Sequence, residues 1–122
     1  MITIQSSQRN ELIDITAQIE KNINKNSSSV TVYIPHTTAA VTINENADPT
    51  VKEDIQKKLN DLIPKDENYK HSEGNSDSHI KASLIGSSVT IPIIKGKLAL
   101  GTWQGIFFCE FDGPRKRKVV IA

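Results

Sequence analysis

Imidazole is the scarcest reactive group in this sequence: His36, His71 and His79 are the whole supply. Neutral imidazole ligates Zn²⁺-type metals and moves protons near pH 7. Carboxylates stand near them in the chain, as Glu45, Glu73, Asp77 and Glu110. Imidazole mixed with carboxylate suits Zn²⁺, Mn²⁺ or Fe²⁺, whereas oxygen donors alone suit Mg²⁺. The interval between His71 and His79 is not a metal spacing on one helix face, so ordinary surface histidines are the competing reading. All three nevertheless fall at the ends of regular elements, where loops held by a scaffold carry function.

Other stretches offer anion chemistry. His71-Ser72-Glu73-Gly74-Asn75-Ser76-Asp77 is dense in small and polar residues. With a helix beginning at Ser76, the amides from Asn75 to Ser78 point outward at the positive end of the helix dipole and fit an anion. The same residues would serve as a plain polar cap. Gly101-Thr102-Trp103-Gln104-Gly105 holds the single tryptophan. Trp103 either packs a strand bulge into the core or stacks on a heteroaromatic ring, with Gly105 admitting close approach. Glu110 alternates with Cys109 and Phe111, which puts it on the opposite face; turned inward, it would need a cation, a metal or hydrogen bonds. Cys109 reads as an inert core thiol. Arg115-Lys116-Arg117-Lys118 holds four of the fifteen basic side chains, leaving the remainder of the chain acidic. Alternation sends Arg115 and Arg117 to one face and Lys116 and Lys118 to the other. The run is then a solvated edge strand or a grip for diphosphate. It lacks the interleaved aromatics of single-strand readers, so no nucleic-acid partner is expected.

These side chains need a scaffold. Ile2 and Ile4 alternate with Thr3 and Gln5 as in a half-buried strand. From Asn10, Leu12, Ile15, Ile19 and Ile23 recur at helical steps, predicting an amphipathic helix that the asparagines and serines of 22–29 stop. Residues 30–34 and 39–46 read as strands, the first ended by Pro35. Asp48-Pro49 opens a helix whose stripe of Val51, Ile55, Leu59 and Leu62 stops before Pro64. After a polar loop over 64–78, a short helix is predicted over 77–85 with Gly86 at its end. Strands follow at 87–94, 98–100, 106–111 and 119–121, with Lys95-Gly96-Lys97 as a hairpin turn. The pattern is α+β: a mostly antiparallel, curled sheet of about seven strands with two or three helices over it.

Composition sets bounds. The chain has 122 residues and 13.5 kDa, which fits one domain over 1–122. A formal charge of +1 gives no overall field toward nucleic acid or an anionic membrane. One cysteine permits no internal disulfide and suits a reducing compartment, so a cytoplasmic location is expected. No secretory leader or membrane span is expected either, because the chain turns polar at Gln5 and no apolar run approaches ~20 residues.

The motif blocks carry a resemblance. His36-Thr37-Thr38-Ala39-Ala40, Asn44-Glu45-Asn46-Ala47-Asp48-Pro49, the run from His71 to Lys81, Gly101-Thr102-Trp103-Gln104 and Glu110-Phe111-Asp112-Gly113-Pro114-Arg115 occur in the order of the YjbQ family. This chain resembles that family from about residue 30 to its end. The resemblance implies a strand-rich pseudo-barrel capped by helix, usually a homotrimer. It also implies a weak secondary thiamine-phosphate synthase activity, in which a pyrimidine diphosphate and a thiazole phosphate give thiamine phosphate and diphosphate. Carried over by position, the pocket gathers His36, His71, Asn75, His79, Trp103 and Glu110, with Arg115 nearby.

The expectation is therefore an enzyme acting on a phosphorylated small molecule with a divalent metal of Mg or Zn type. His36, His71, His79 and Glu110 are its expected catalytic groups, and the three histidines its metal ligands. Asn75, Ser76, Lys81, Trp103 and Arg115 are expected to bind substrate or anion. A metal-dependent phosphoesterase and a non-catalytic metabolite binder are the alternatives.

Overall fold

Where β-branched and aromatic residues alternate, the chain pairs; where the spacing turns helical, it lies across the sheets. The computed structural model describes residues 1–122. In chain order the elements are β1 (Ile2–Gln5), β2 (Glu11–Asp14), α1 (Thr16–Lys21), β3 (Ser29–Tyr33), β4 (Ala39–Glu45), α2 (Pro49–Leu62), α3 (Ser76–Ile85), β5 (Ser88–Ile94), β6 (Lys97–Leu98), β7 (Gln104–Glu110) and β8 (Lys116–Ile121). All strand pairs are antiparallel. Five strands form one sheet in the order β1-β8-β3-β5-β6, and three form another in the order β2-β7-β4. Together they make a curled half-barrel, so the α+β expectation is met with eight strands and three helices.

Strand β7 explains most of the packing. Its residues from Gly105 to Glu110 are all buried, because both of its faces are covered. Ile106 and Phe108 join Val30, Val32, Val41, Ile91 and Val119 in the core between the sheets. Phe107 and Cys109 point the other way, into a second cluster with Leu12, Leu59, Ala82 and Phe111 under α2 and α3. A central strand clad on both faces reads as a continuous apolar run. Glu110 continues the Ile106–Phe108 side and is fully buried, which corrects the exposed placement that alternation allowed.

The first helix is shorter than its periodicity predicts. Glu11–Asp14 is a strand, with Leu12 opposite Cys109, and only Thr16–Lys21 is helical. Leu12 serves the helix-covered cluster, while Ile15 and Ile19 fill the core between the sheets. One three-and-four stripe thus serves two elements and two cores. The other helices follow their caps. Pro49 opens α2, and the Asp48 carboxylate accepts the Thr50 amide at 2.9 Å. Gly86, with φ at +103°, closes α3.

Candidate functional site

Pro35 has no amide proton, so β3 ends and the chain from Ile34 to Thr38 crosses to β4 along one rim of the half-barrel. The loop before α3, the start of α3 and the turn from Asp112 to Arg115 reach the same rim. Between them lies a cleft of about 760 Å³, lined by polar groups that include His36, Thr37, Asn75, His79, Asp112 and Arg115. A smaller adjoining cavity shares His36 and His79. His71 stands outside the main cleft. Its ring lies edge-on to His79 with centroids 5.4 Å apart, and both line a neighbouring hollow with Ser76. The three histidines therefore form a chain across the rim, with His79 in the middle.

The cleft floor rests on an ion pair, with Arg117 lining the cleft and Glu110 lying behind it. Arg117 and Glu110 are buried against each other, with Arg117 Nε donating to Glu110 Oε1 at 2.9 Å and Nη2 to Oε2 at 2.5 Å. Nη2 also donates to Thr38 Oγ1 at 2.8 Å, and Ser6 Oγ donates to Glu110 Oε1 at 2.7 Å. The Asp112 amide completes the carboxylate's shell. Burial alone would push the Glu110 pKa up; hydrogen bonds from Arg117, Ser6 and Asp112, with the Arg117 charge, hold it below the ordinary carboxylate value. Glu110 is thus a spent acceptor behind the floor, fully buried and not lining the cleft, so its expected catalytic role does not fit. Gly113 allows this crossing: a Cβ there would strike the Gln8 carbonyl and come within 2.6 Å of Ser6 Oγ. Gly113→Ala is expected to cost about 1–3 kcal/mol in urea unfolding.

His36 is half-buried, and its Nε2 accepts the Lys118 amide at 2.9 Å. Burial, then the nearby Arg117 charge, lowers its pKa below the ordinary histidine value. With Nε2 occupied, His36 has no lone pair left there for a metal. No three His, Cys, Asp or Glu side chains come together as a metal site. The expected three-histidine metal site is not assembled by this chain's fold.

A second charged cluster fixes α3. Asp77 is fully buried in its first turn and takes a two-pronged grip from Arg9, at 2.9 and 3.0 Å. Lys81 Nζ, 3.8 Å from Asp77, donates to the side-chain oxygens of Asn60 and Asn10. Lys81 is only 1% exposed and touches none of the cleft, so its expected anion-binding role is corrected. Burial, with Arg9 nearby, lowers the Lys81 pKa. Asn75 gives its amide nitrogen to Asp112 at 2.9 Å, and its oxygen is sheltered without a partner. Its side-chain donor is thus engaged by Asp112. Arg115 is bound to Asp112 through Nε and Nη2 yet remains exposed at the cleft. Trp103 is 62% exposed in the turn before β7, at the end opposite Glu110. Seven residues of strand put it about 20 Å from the floor. Within one protomer it joins neither the histidines nor the core. Cys109 is the buried, inert thiol expected, its pKa pushed up by burial to about 12.

The sequence model described as "UPF0047 protein YjbQ-like" matches residues 1–122. The chain belongs to the YjbQ/UPF0047 family. It is 55% identical to UPF0047 protein MJ1081 of Methanocaldococcus jannaschii, over 97% of this chain and 88% of that protein. With UPF0047 protein YugU of Bacillus subtilis it shares 45% identity, over 98% of this chain and 94% of that one. A solved structure of an uncharacterised YjbQ/UPF0047 protein from Clostridium acetobutylicum superposes with a TM-score of 0.96 at 52% identity, covering 99% and 96% of the two chains.

In this YjbQ-family chain several structural residues escaped the sequence reading. Alternation groups Arg117 with Arg115, yet Arg115 lies before β8 and Arg117 within it. Arg9 and Ser6 carried no signal, because their partners are 68 and 104 residues away. Thr38 could have been found: it follows His36 and precedes the apolar start of β4, where a polar side chain is buried only with a partner.

Proposed function

We propose that the cleft binds a phosphorylated small molecule and couples it to a second one, as the family resemblance implies. A pyrimidine diphosphate loses its C–O bond to diphosphate, a C–N bond to the thiazole nitrogen forms, and diphosphate leaves. One observation carries this reading: His36, His79 and Arg115 share a polar cleft large enough for a nucleotide-sized guest. Arg115, exposed and held by Asp112, attracts the anionic leaving group. His79 hydrogen-bonds the departing oxygens or supplies a proton. The expected divalent metal enters as Mg²⁺ carried on the diphosphate of the substrate, where oxygen donors suit it.

A homotrimer in the cytoplasm completes the proposal. Ile80 and Leu84 are exposed along α3, and an apolar stripe of that kind supports subunit contact. No helix is long and apolar enough to cross a membrane.

The test is turnover with both substrates, followed as diphosphate release, beside a panel of phosphate monoesters. His79→Ala is expected to lower kcat/KM about 100-fold, and His71→Ala, outside the main cleft, less than about threefold. Release of phosphate from the monoesters alone would favour the phosphoesterase. Ligand-induced thermal stabilisation without turnover would favour the metabolite binder.

A further inference from the structure

Backbone accounting around β8 says more about His36. Strand β3 pairs with β8 through Val32 opposite Ile121 and Tyr33 opposite Val120, and Pro35 then takes the chain away. On the other side of β8, β1 pairs as far as Gln5 opposite Lys116. The Lys118 amide is left beyond the end of the β3 ladder, without a strand carbonyl as partner. His36 Nε2 takes its place as acceptor, at 2.9 Å. Turning the ring over would set a carbon against the amide, so the hydrogen bond also fixes the ring's orientation.

A ring nitrogen that accepts carries no proton, and a neutral imidazole then carries its proton on Nδ1. Protonating Nε2 would set N–H against N–H. The charged groups around the ring reinforce this. Arg117 and Arg115 disfavour a second positive charge, and Glu110, the carboxylate that would favour one, is engaged by Arg117. His79, Glu73 and Asp112 line the same cleft. Near pH 7 the one polar atom that His36 has left to offer is Nδ1–H.

We infer that His36 is a tautomer-locked, neutral Nδ1–H donor to an anionic oxygen of the ligand, and neither a metal ligand nor a general base. The class of acceptor rests on the function proposed above; the tautomer does not. The backbone amide acts here as a positioning group, and His36 as the group that touches the ligand.

The tautomer is read on ligand-free, full-length protein with ¹⁵N-labelled histidine, by long-range ¹H–¹⁵N correlation at pH 7, the His36 signals being those missing from His36→Ala. The expected pattern is a protonated Nδ1 and a bare Nε2, with titration below the ordinary histidine range. Protonation at Nε2, or at both nitrogens, overturns the inference. A second arm uses inorganic pyrophosphate in titration calorimetry. His36→Asn sets an amide N–H near the Nδ1 position and is expected to bind within about threefold of the wild type. His36→Gln, whose amide reaches toward Nε2, is expected to lose about tenfold. The reverse order, or equal losses, overturns the donor role. Failure of the wild type to bind pyrophosphate would overturn the assigned acceptor together with the proposed function, which separates that failure from a wrong tautomer.

Discussion

Arg117→Ala is expected to lower the unfolding free energy by about 3–5 kcal/mol and the thermal midpoint by roughly 10 °C or more. The variant leaves Glu110 buried between the sheets with only the Ser6 hydroxyl and the Asp112 amide as donors, and Thr38 loses its partner. A charge sealed from water without its counterion costs far more than the pair itself contributes. The pH dependence supplies the decisive readout. In the wild type the folded Glu110 pKa is depressed, so the unfolded chain binds more protons in acid. Its contribution is complete above about pH 4–5 and fades as the pH falls through the folded value. In Arg117→Ala the Ser6 and Asp112 hydrogen bonds remain, but the burial that Arg117 offset is expected to outweigh them and to drive the folded pKa above the unfolded one. The contribution of Glu110 to stability then changes sign, and mild acidification stabilises the variant. Urea unfolding at pH 7 and pH 5 reads both effects. An unchanged midpoint at both values would show that the floor pair is not what closes this rim. Glu110→Leu combined with Arg117→Met is expected to recover most of the loss, since the apolar pair leaves no charge to desolvate.

That pair also marks what could be read from residue order and what could not. Strands that alternate between core and solvent, such as Val30 and Val32 against Thr31, declare themselves, and so does a helix with Asp48-Pro49 at its start. Local chemistry decides those elements. Glu110 is different, because whether a carboxylate in an apolar run faces water depends on what covers the strand. The cover comes from β2, β4 and α2, far away in the chain. The same holds for Leu12, whose place in a helical stripe concealed a strand paired with β7. For the site, the family resemblance groups His36, Asn75 and His79 with Arg115 nearby, and these four line one cleft. Lys81 and Trp103, expected there as well, do not line it: long-range packing sends one into the interior and the other to the opposite end of β7. His36 shows a third case. Its type was informative, but its role depends on a strand running out of partners, which only the register reveals.

Helix α3 has its polarity reversed. It buries Asp77, Ser78 and Lys81 beside Ala82 and exposes Ile80 and Leu84, so charge and hydrogen bonding join a small apolar contact in docking it to the half-barrel. Asp77 is the centre of that docking. Burial would raise its pKa, yet the Arg9 hydrogen bonds, the charges of Arg9 and Lys81 and the Ser78 amide lower it overall. Asp77→Ala removes the only anion between two cations, one of them buried to 1% exposure. The expected cost is about 3–5 kcal/mol in urea unfolding, with Lys81 driven further toward its neutral form. Ligand binding at the cleft is expected to suffer before global unfolding, because α3 carries His79 there and Asn75 caps its start. Pyrophosphate binding is expected to weaken about tenfold or more at temperatures where the variant is still folded by circular dichroism. Lys81→Met in the Asp77→Ala background separates the causes. It removes the stranded buried charge while keeping the stem's packing, so it should restore a large part of the stability. It does not restore the Arg9 grip on the helix start, so binding should stay weak. If stability returned and binding returned with it, the grip on Asp77 would not be what holds His79 in place, and the Ser78 hydroxyl on the Phe111 carbonyl at 2.5 Å would be left as the anchor.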